Sequence, residues 1–503
     1  MLSTTILKRG WALVMLAGLL TFSMSCEKDV EPAEVIEYSI FVSSSEGGSV
    51  STEGGLYEEG ATVVVEAIPN KGYVFTGWEG YDSTEARLEI SVSQALSLKA
   101  NFDLNVIEWS ASVPHLVEDL VDESGYILAI ENGLKTCYLM DHKGQKIKTW
   151  EFDLNLGQDA ELASDGSLFG LFKVPNQNFG YGGQSGLIRQ INPLGDVIWE
   201  YEISNENEIT HHDLEVMPNG NVLVLVWYRV PKQEAEAIGY ISDNDLVVEK
   251  VVEINPTSNA VVWEWNSWDH IVQNVTPEHD TFGDPNVLRS KIDIFYNFES
   301  EYHEFIGLGD VMHANGLSYQ PESDLIALSI NFYNEVWFID HSTTTAEAKT
   351  NQGGQYNKGG DLLYRFGNPK AFGAETSKIF DFNHHPSFVS GESTNHLLIF
   401  NNNNAAARSK AMEFSLPTID GSTEIGSNPQ LVFEYGNEEM FFPRVGGAVR
   451  LPNGNTLICE GDFGFWEVNP KGQLLWKYDG QGTSFWRGLF YSKESEAIKN
   501  LGL

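Results

Sequence analysis

Leu214-Glu215-Val216-Met217-Pro218-Asn219-Gly220-Asn221-Val222-Leu223-Val224-Leu225-Val226 is the stretch that decides the fold class. Two apolar runs flank Pro-Asn-Gly-Asn. Asn-Gly between such runs is the strongest short hairpin signal, because both turn positions of the favoured hairpin want positive φ. Further on come Ile254-Asn255-Pro256 and an outer-strand pattern, Val262-Trp263-Glu264-Trp265. The same order returns at Val449-Arg450-Leu451-Pro452-Asn453-Gly454-Asn455-Thr456-Leu457-Ile458, followed by Val468-Asn469-Pro470-Lys471-Gly472 and Leu475-Trp476-Lys477-Tyr478. Looser copies begin near Asp122, Asp159, Met312 and Phe382. Each unit holds enough strand for a four-stranded sheet, and a repeat of this length marks a radial or stacked architecture. Six units between residues 112 and 490 predict an all-β, six-bladed β-propeller, in which repetition leaves few exposed edges. Five and seven blades are the alternatives. A helical solenoid is disfavoured because period-two alternation never gives way to a 3.6-residue pattern.

Ahead of the repeats, residues 37 to 103 alternate apolar and polar with glycine punctuation, from Tyr38-Ser39-Ile40-Phe41-Val42 to Leu98-Lys99-Ala100-Asn101-Phe102. They predict a separate, small N-terminal β-rich domain. Residues 26 to 36 read as a polar linker. The first 25 residues carry Lys8-Arg9, an apolar run from Trp11 to Phe22, and Ser23-Met24-Ser25 before Cys26. That is an export signal, too short in its apolar run to span a bilayer. Phe22-Ser23-Met24-Ser25-Cys26 resembles a lipobox, which implies an acyl chain on Cys26. The expected location is outside the inner membrane, lipid-anchored to the outer membrane and facing periplasm or cell surface.

At 503 residues the chain is too long for one ordinary domain unless that domain is built from repeats. With 42% hydrophobic residues and 47 glycines it is a folded, turn-rich chain and not a disordered one. Its 71 acidic residues outnumber its 31 basic ones, for a net charge of −40, which argues against nucleic acid and against electrostatic docking on anionic lipid. An anionic substrate therefore requires local positive charge at its site. Cys137 and Cys459 have no metal-ligand spacing, and no metal or cofactor is expected; the two lie in the first and last units, so one bridge is conceivable if a ring closes.

Propeller sites form where inner strands of several blades begin. His211-His212, His313-Ala314-Asn315 and His384-His385 occupy such positions in three consecutive units. Residues at i and i+2 of a strand share a face, so His313 and Asn315 are both expected in the channel, with only one member of each His-His pair beside them.

The strings His211-His212-Asp213, Met312-His313-Ala314-Asn315 and His384-His385-Pro386-Ser387 look like the histidine motifs of the arylsulfate sulfotransferases, over roughly residues 112 to 490. The resemblance implies transfer of a sulfuryl group from an aryl sulfate donor to a phenolic acceptor, without phosphoadenosine-phosphosulfate, through a sulfated histidine. By position it assigns His385 as nucleophile. His212, His313 and Asn315 then bind sulfuryl oxygens and handle the phenol proton, with His384 and His211 as reserve assignments. Phe400-Asn401-Asn402-Asn403-Asn404 with Arg408 is similar to the stretch that follows the nucleophile in that family. The family's arginine after the His-x-Asn motif is missing: Asn331 stands in its place, with Arg444 or Arg365 as possible substitutes. Gly60 to Trp78 resembles the divergent internalin-type B-repeat, a spacer or adhesive module. The competing functions are a non-catalytic surface propeller binding a glycan or peptide and, less favoured, a quinone-dependent dehydrogenase.

Overall fold

The computed structural model of the protein describes residues 34–176, 178–298, 304–374, 376–390 and 395–503. Cys26 and the export segment before it lie outside the described residues. The chain divides into two compact units at residues 103 and 104.

The first unit packs a four-stranded sheet and a three-stranded sheet. Glu37–Ser44 pairs parallel with Leu96–Leu104 and antiparallel with Gly54–Glu58. Along Thr62–Pro69, Val63, Val65 and Ala67 face inward while Val64 and Ile68 face out, the period-two pattern of a half-buried strand. The core gathers around Ile40, Val65, Trp78 and Phe102.

The second unit is all-β and contains, among the described residues, six sheets of four or five strands. Four of them are meanders of consecutive strands, and the first and last are completed by the opposite chain end. The C-terminal strand Phe485–Ser492 pairs with Gly125–Glu131 of the first sheet, and the short strand His115–Leu116 pairs with Leu474–Asp479 of the last. Sequence reading missed this exchange, because neither piece carries the hairpin motif of the repeats. Six strands, Phe485–Ser492, Leu156–Leu162, Glu208–Val216, Ala314–Gln320, Asn383–Phe388 and Gly447–Arg450, touch one another in a closed circuit. Indole N–H groups tie outer strands to the neighbouring sheet: Trp265 Nε1 donates to Gly360 O at 2.7 Å and Trp476 Nε1 to His142 O at 2.7 Å.

The Pro-Asn-Gly-Asn hairpins form differently from the expected pair of positive-φ residues. Gly220 and Gly454 alone take positive φ, +82° and +89°. The Gly220 N–H donates to Met217 O and the Gly454 N–H to Leu451 O, so Pro and Asn are the two central turn residues. Proline's φ near −65° bars the doubly left-handed turn there, and the glycine follows in the left-handed region. Cys137 and Cys459 are buried free thiols, which corrects the pairing considered from sequence.

The inner strands are not regular. Pairing shifts occur at Leu156/Ala160, Thr210/Leu214, Ala314/Gly316, His384/Ser387 and Phe485/Arg487, so five of the six carry a bulge at their start. His212, His313 and His385 all hold φ near +50° there. Left-handed backbone costs a non-glycine residue roughly 1–3 kcal/mol, and such strain gathers where a side chain is aimed for function.

Candidate active site

The bulges surround a cavity of 580 Å³ lined from five of the six inner-strand regions, with Asn132 of the first sheet completing the wall. That volume suits a small aromatic molecule. Phe305, Phe332, Phe382 and Phe442 contribute apolar wall, and His212, His313 and His384 line it as well. The rings of His212 and His313 are 4.7 Å apart, edge to face. Trp486 adjoins both His212 and His384, at 5.8 and 6.4 Å between ring centroids.

Each histidine is oriented by a different partner. His384 Nδ1 lies 2.6 Å from Asn402 Oδ1. The Asn402 amide donates to Phe442 O at 2.6 Å and Val445 O at 3.1 Å, so its oxygen is fixed toward His384 and can only accept. His384 Nδ1 therefore carries the hydrogen, and Nε2 is the nitrogen with a lone pair for a cavity occupant. Burial, partly offset by the Asn402 bond, pushes its pKa down to about 3, so the ring is neutral at working pH. His313 is anchored twice by Asp310, through its backbone N–H at 3.0 Å and through Nδ1, and it stacks on Phe332. His212 Nδ1 meets His211 Nδ1 at 2.9 Å.

The sequence model of the arylsulfotransferase (ASST) family matches residues 115–481, nearly three-quarters of the chain and every residue just described except Trp486. The chain belongs to the arylsulfotransferase family. A second match, to the divergent InlB B-repeat domain, covers residues 38–106. No curated protein matches the chain. Among solved structures, the chain is similar to a protein of unknown function from Bacteroides caccae, at 10% identity over 73% of this chain and 98% of that one, with a TM-score of 0.43. It is similar also to the periplasmic gluconolactonase of Pseudomonas aeruginosa, at 12% identity over 73% and 99%, with a TM-score of 0.38.

The sites expected from sequence divide into those the cavity gathers and those it leaves behind. Of each His-His pair one member lines the cavity. In the second pair it is His384, however, and not His385. The bulge at His384/Ser387 turns the His385 ring away, against Gly447, where its Nδ1 is buried without a hydrogen-bond partner among the described residues, and sets the His385 backbone beside Gly316. Asn315 does not accompany His313 into the cavity, because the shift at Ala314/Gly316 breaks the i, i+2 relation. It is fully buried and donates to Asn383 O at 2.9 Å. Asn331 lines the cavity, its amide donating to the same carbonyl at 3.1 Å. His211 is buried behind His212.

Positive charge comes from two places. Arg444 lines the mouth, exposed, whereas Arg365 is fully buried against Glu335 and unavailable. Lys173, at the end of Leu168–Lys173, lines the cavity half-buried, and burial lowers its pKa. Neither Lys173 nor Arg444 is paired with a carboxylate among the described residues. Lys173 and Gln158 escaped sequence reading because they belong to the second of the six sheets, Leu156 to Glu202, which carries no histidine motif. The Asn401 to Asn404 run was singled out, but its function as the clamp on His384 depends on Phe442 and Val445, some 40 residues away.

Gly183 sets a steric limit on the site. A Cβ there would lie 2.1–2.5 Å from three atoms of the His212 ring, and its φ of +93° already disfavours a side chain. Gly183→Ala is expected to displace His212 and lower kcat about 100-fold or more, while the thermal midpoint, read in parallel, drops only modestly.

Proposed function

We propose that the second unit is a six-bladed propeller enzyme that transfers a sulfuryl group from an aryl sulfate to a phenol through a sulfated intermediate on His384. The observation that carries this reading is the amide clamp on His384. A neutral imidazole with its hydrogen fixed on Nδ1 presents an Nε2 lone pair inside a cavity that His212 and His313 share. Neutral imidazole is a competent nucleophile near pH 7, and splitting transfer into two displacements is the usual gain of covalent catalysis.

In the first step His384 Nε2 attacks sulfur and the S–O bond to the aryloxide breaks. In the second, an acceptor phenol oxygen attacks the same sulfur and the N–S bond breaks. Charge on the transferring sulfuryl oxygens is met by donors already in place, with His313 and Asn331 nearest the family motif and Lys173 and Arg444 supplying cations. The four phenylalanines suit the planar ring of donor and acceptor. In a chain of net charge −40, two unpaired cations at one cavity are also what an anionic ester needs on approach.

The test is a donor assay. With 4-nitrophenyl sulfate, nitrophenol release is expected to accelerate when phenol is added and to need no phosphoadenosine-phosphosulfate. Folded protein that releases no nitrophenol with any phenol would sink the catalytic reading in favour of a surface propeller that binds a glycan or peptide.

A further inference from the structure

Exchange of a sulfuryl group between two phenols also moves a proton, because the departing aryloxide gains one and the acceptor hydroxyl loses one. An isolated imidazole would manage this by alternating between neutral and cationic forms. At His212 burial opposes the cation, with His313 adding to the effect, and holds the ring well below the usual histidine range. Behind His212 the structure offers another way. His212 Nδ1 is 2.9 Å from His211 Nδ1, and His211 Nε2 is 3.0 Å from Glu249 Oε2. His211 and Glu249 are fully buried, and His211 is clamped flat on Trp227, with 4.2 Å between centroids and 6° between planes. The other Glu249 oxygen accepts the Ala314 N–H at 2.7 Å, which ties the carboxyl to the strand next to His313. The contact between His211 Nε2 and Glu249 Oε2 is short in distance but not aligned as a straight hydrogen bond, and neither atom has a hydrogen-bond partner among the described residues. Two buried polar atoms left so are costly, and a rotation of the carboxyl would pair the one with the other.

We propose that His212, His211 and Glu249 form a proton wire serving the phenol oxygen, an inference that rests on the sulfuryl-transfer reading of the cavity. In the discharged state Glu249 is a carboxylate, His211 carries its hydrogen on Nε2 and His212 carries its hydrogen on Nδ1, so His212 Nε2 is a base. When an acceptor phenol gives its proton to His212 Nε2, the Nδ1 hydrogen of His212 passes to His211 Nδ1 and the Nε2 hydrogen of His211 passes to Glu249. The charged state holds a neutral carboxylic acid and two neutral imidazoles. Running the wire backward delivers the proton to the aryloxide that leaves the next donor. The cycle closes with no net gain of protons, and no imidazolium forms at any stage. Burial pushes the Glu249 carboxyl well above the usual range, with Asp310 adding to it, which suits a group that stores a proton. His313, fixed at two points by the single carboxylate of Asp310, is left to hold sulfuryl oxygens.

Glu249→Gln tests the wire, because it keeps an oxygen for the Ala314 N–H and cannot take up a proton. Rates are measured for donors of rising leaving-group basicity, from 4-nitrophenyl sulfate to phenyl sulfate. The unaltered protein is expected to vary little across the series. In Glu249→Gln the loss is expected to be roughly 100-fold or more for phenyl sulfate and less than about tenfold for 4-nitrophenyl sulfate, whose aryloxide needs little protonation. His211→Gln, which interrupts the wire at its centre, is expected to steepen the dependence in the same way, and it serves if Glu249→Gln does not fold. Equal losses on both donors would reduce Glu249 to a structural residue and overturn the wire. Absence of transfer by the unaltered protein from every aryl sulfate would overturn the reading beneath it instead.

Discussion

His384→Ala is expected to abolish sulfuryl transfer, with a loss in kcat of about 10⁴-fold or more, and to leave no protein-bound sulfuryl group after incubation with 4-nitrophenyl sulfate. The reason is the direction of one hydrogen. Asn402, locked by Phe442 O and Val445 O, forces the His384 proton onto Nδ1 and so fixes the lone pair on Nε2. His385→Ala is the comparison that decides between the neighbours. His385 is packed near Gly447 and Gly316 and does not line the cavity, so its removal is expected to lower stability by about 1–3 kcal/mol and to leave the covalent adduct detectable by intact mass. An adduct formed by His384→Ala and lost in His385→Ala would return the nucleophile to the residue that sequence position favours.

The contrast shows where sequence stops being legible. The repeat and its turns were readable because hairpins and alternation are local properties of ten or so residues. Three histidine positions were readable for the same reason, since each stands at the start of an inner strand. What could not be read is which ring turns inward. Alternation gives that answer only for regular strands, and five of the six inner strands are bulged where the chemistry sits. His385 takes the same left-handed backbone as His212 and His313, yet its ring points elsewhere. The partners of the site histidines follow the same division. His211 is next to His212, Asp310 is three residues from His313 and Asn402 directly follows the strand paired with that of His384, whereas Glu249 is two strands from His211 and no spacing announces it. The closure of the first sheet by Phe485–Ser492 was hidden likewise, and with it the placement of Trp486 and Arg487 among the inner strands of the second unit.

Carboxylates explain a second pattern that composition alone left without meaning. Glu161 accepts the Val216 N–H at 2.8 Å, Asp213 that of Leu317 at 2.7 Å, and Glu215 that of Tyr319 at 2.7 Å. Each acid of one inner strand thus satisfies an edge N–H of the next, which covers exposed edges without a covering strand. The arrangement stacks buried negative charge at the centre, and Arg487 answers it. Its guanidinium lies 2.5 Å from Asp213, 3.5 Å from Asp159 and 3.1 Å from Asn315 O.

Arg487→Met is accordingly expected to destabilise the second unit by about 3–5 kcal/mol at pH 8, because it strands carboxylates that no water reaches. The pH dependence follows from the neighbours. Burial, with Asp213 adding, raises Asp159 well above the carboxylate range; burial raises Glu161 to about 7; burial, with Glu161 adding, raises Glu215 well above the range. A raised carboxyl binds its proton more tightly folded than unfolded. The stability it permits is therefore complete below the ordinary carboxylate range and is lost as pH rises through about 7, the Glu161 value. The unaltered protein should show a higher urea midpoint at pH 5 than at pH 8, and Arg487→Met should magnify that difference by recovering much of its loss at pH 5. An Arg487→Met deficit of the same size at both pH values would mean that Arg487 acts through packing and that the acids around it are not the charge it answers.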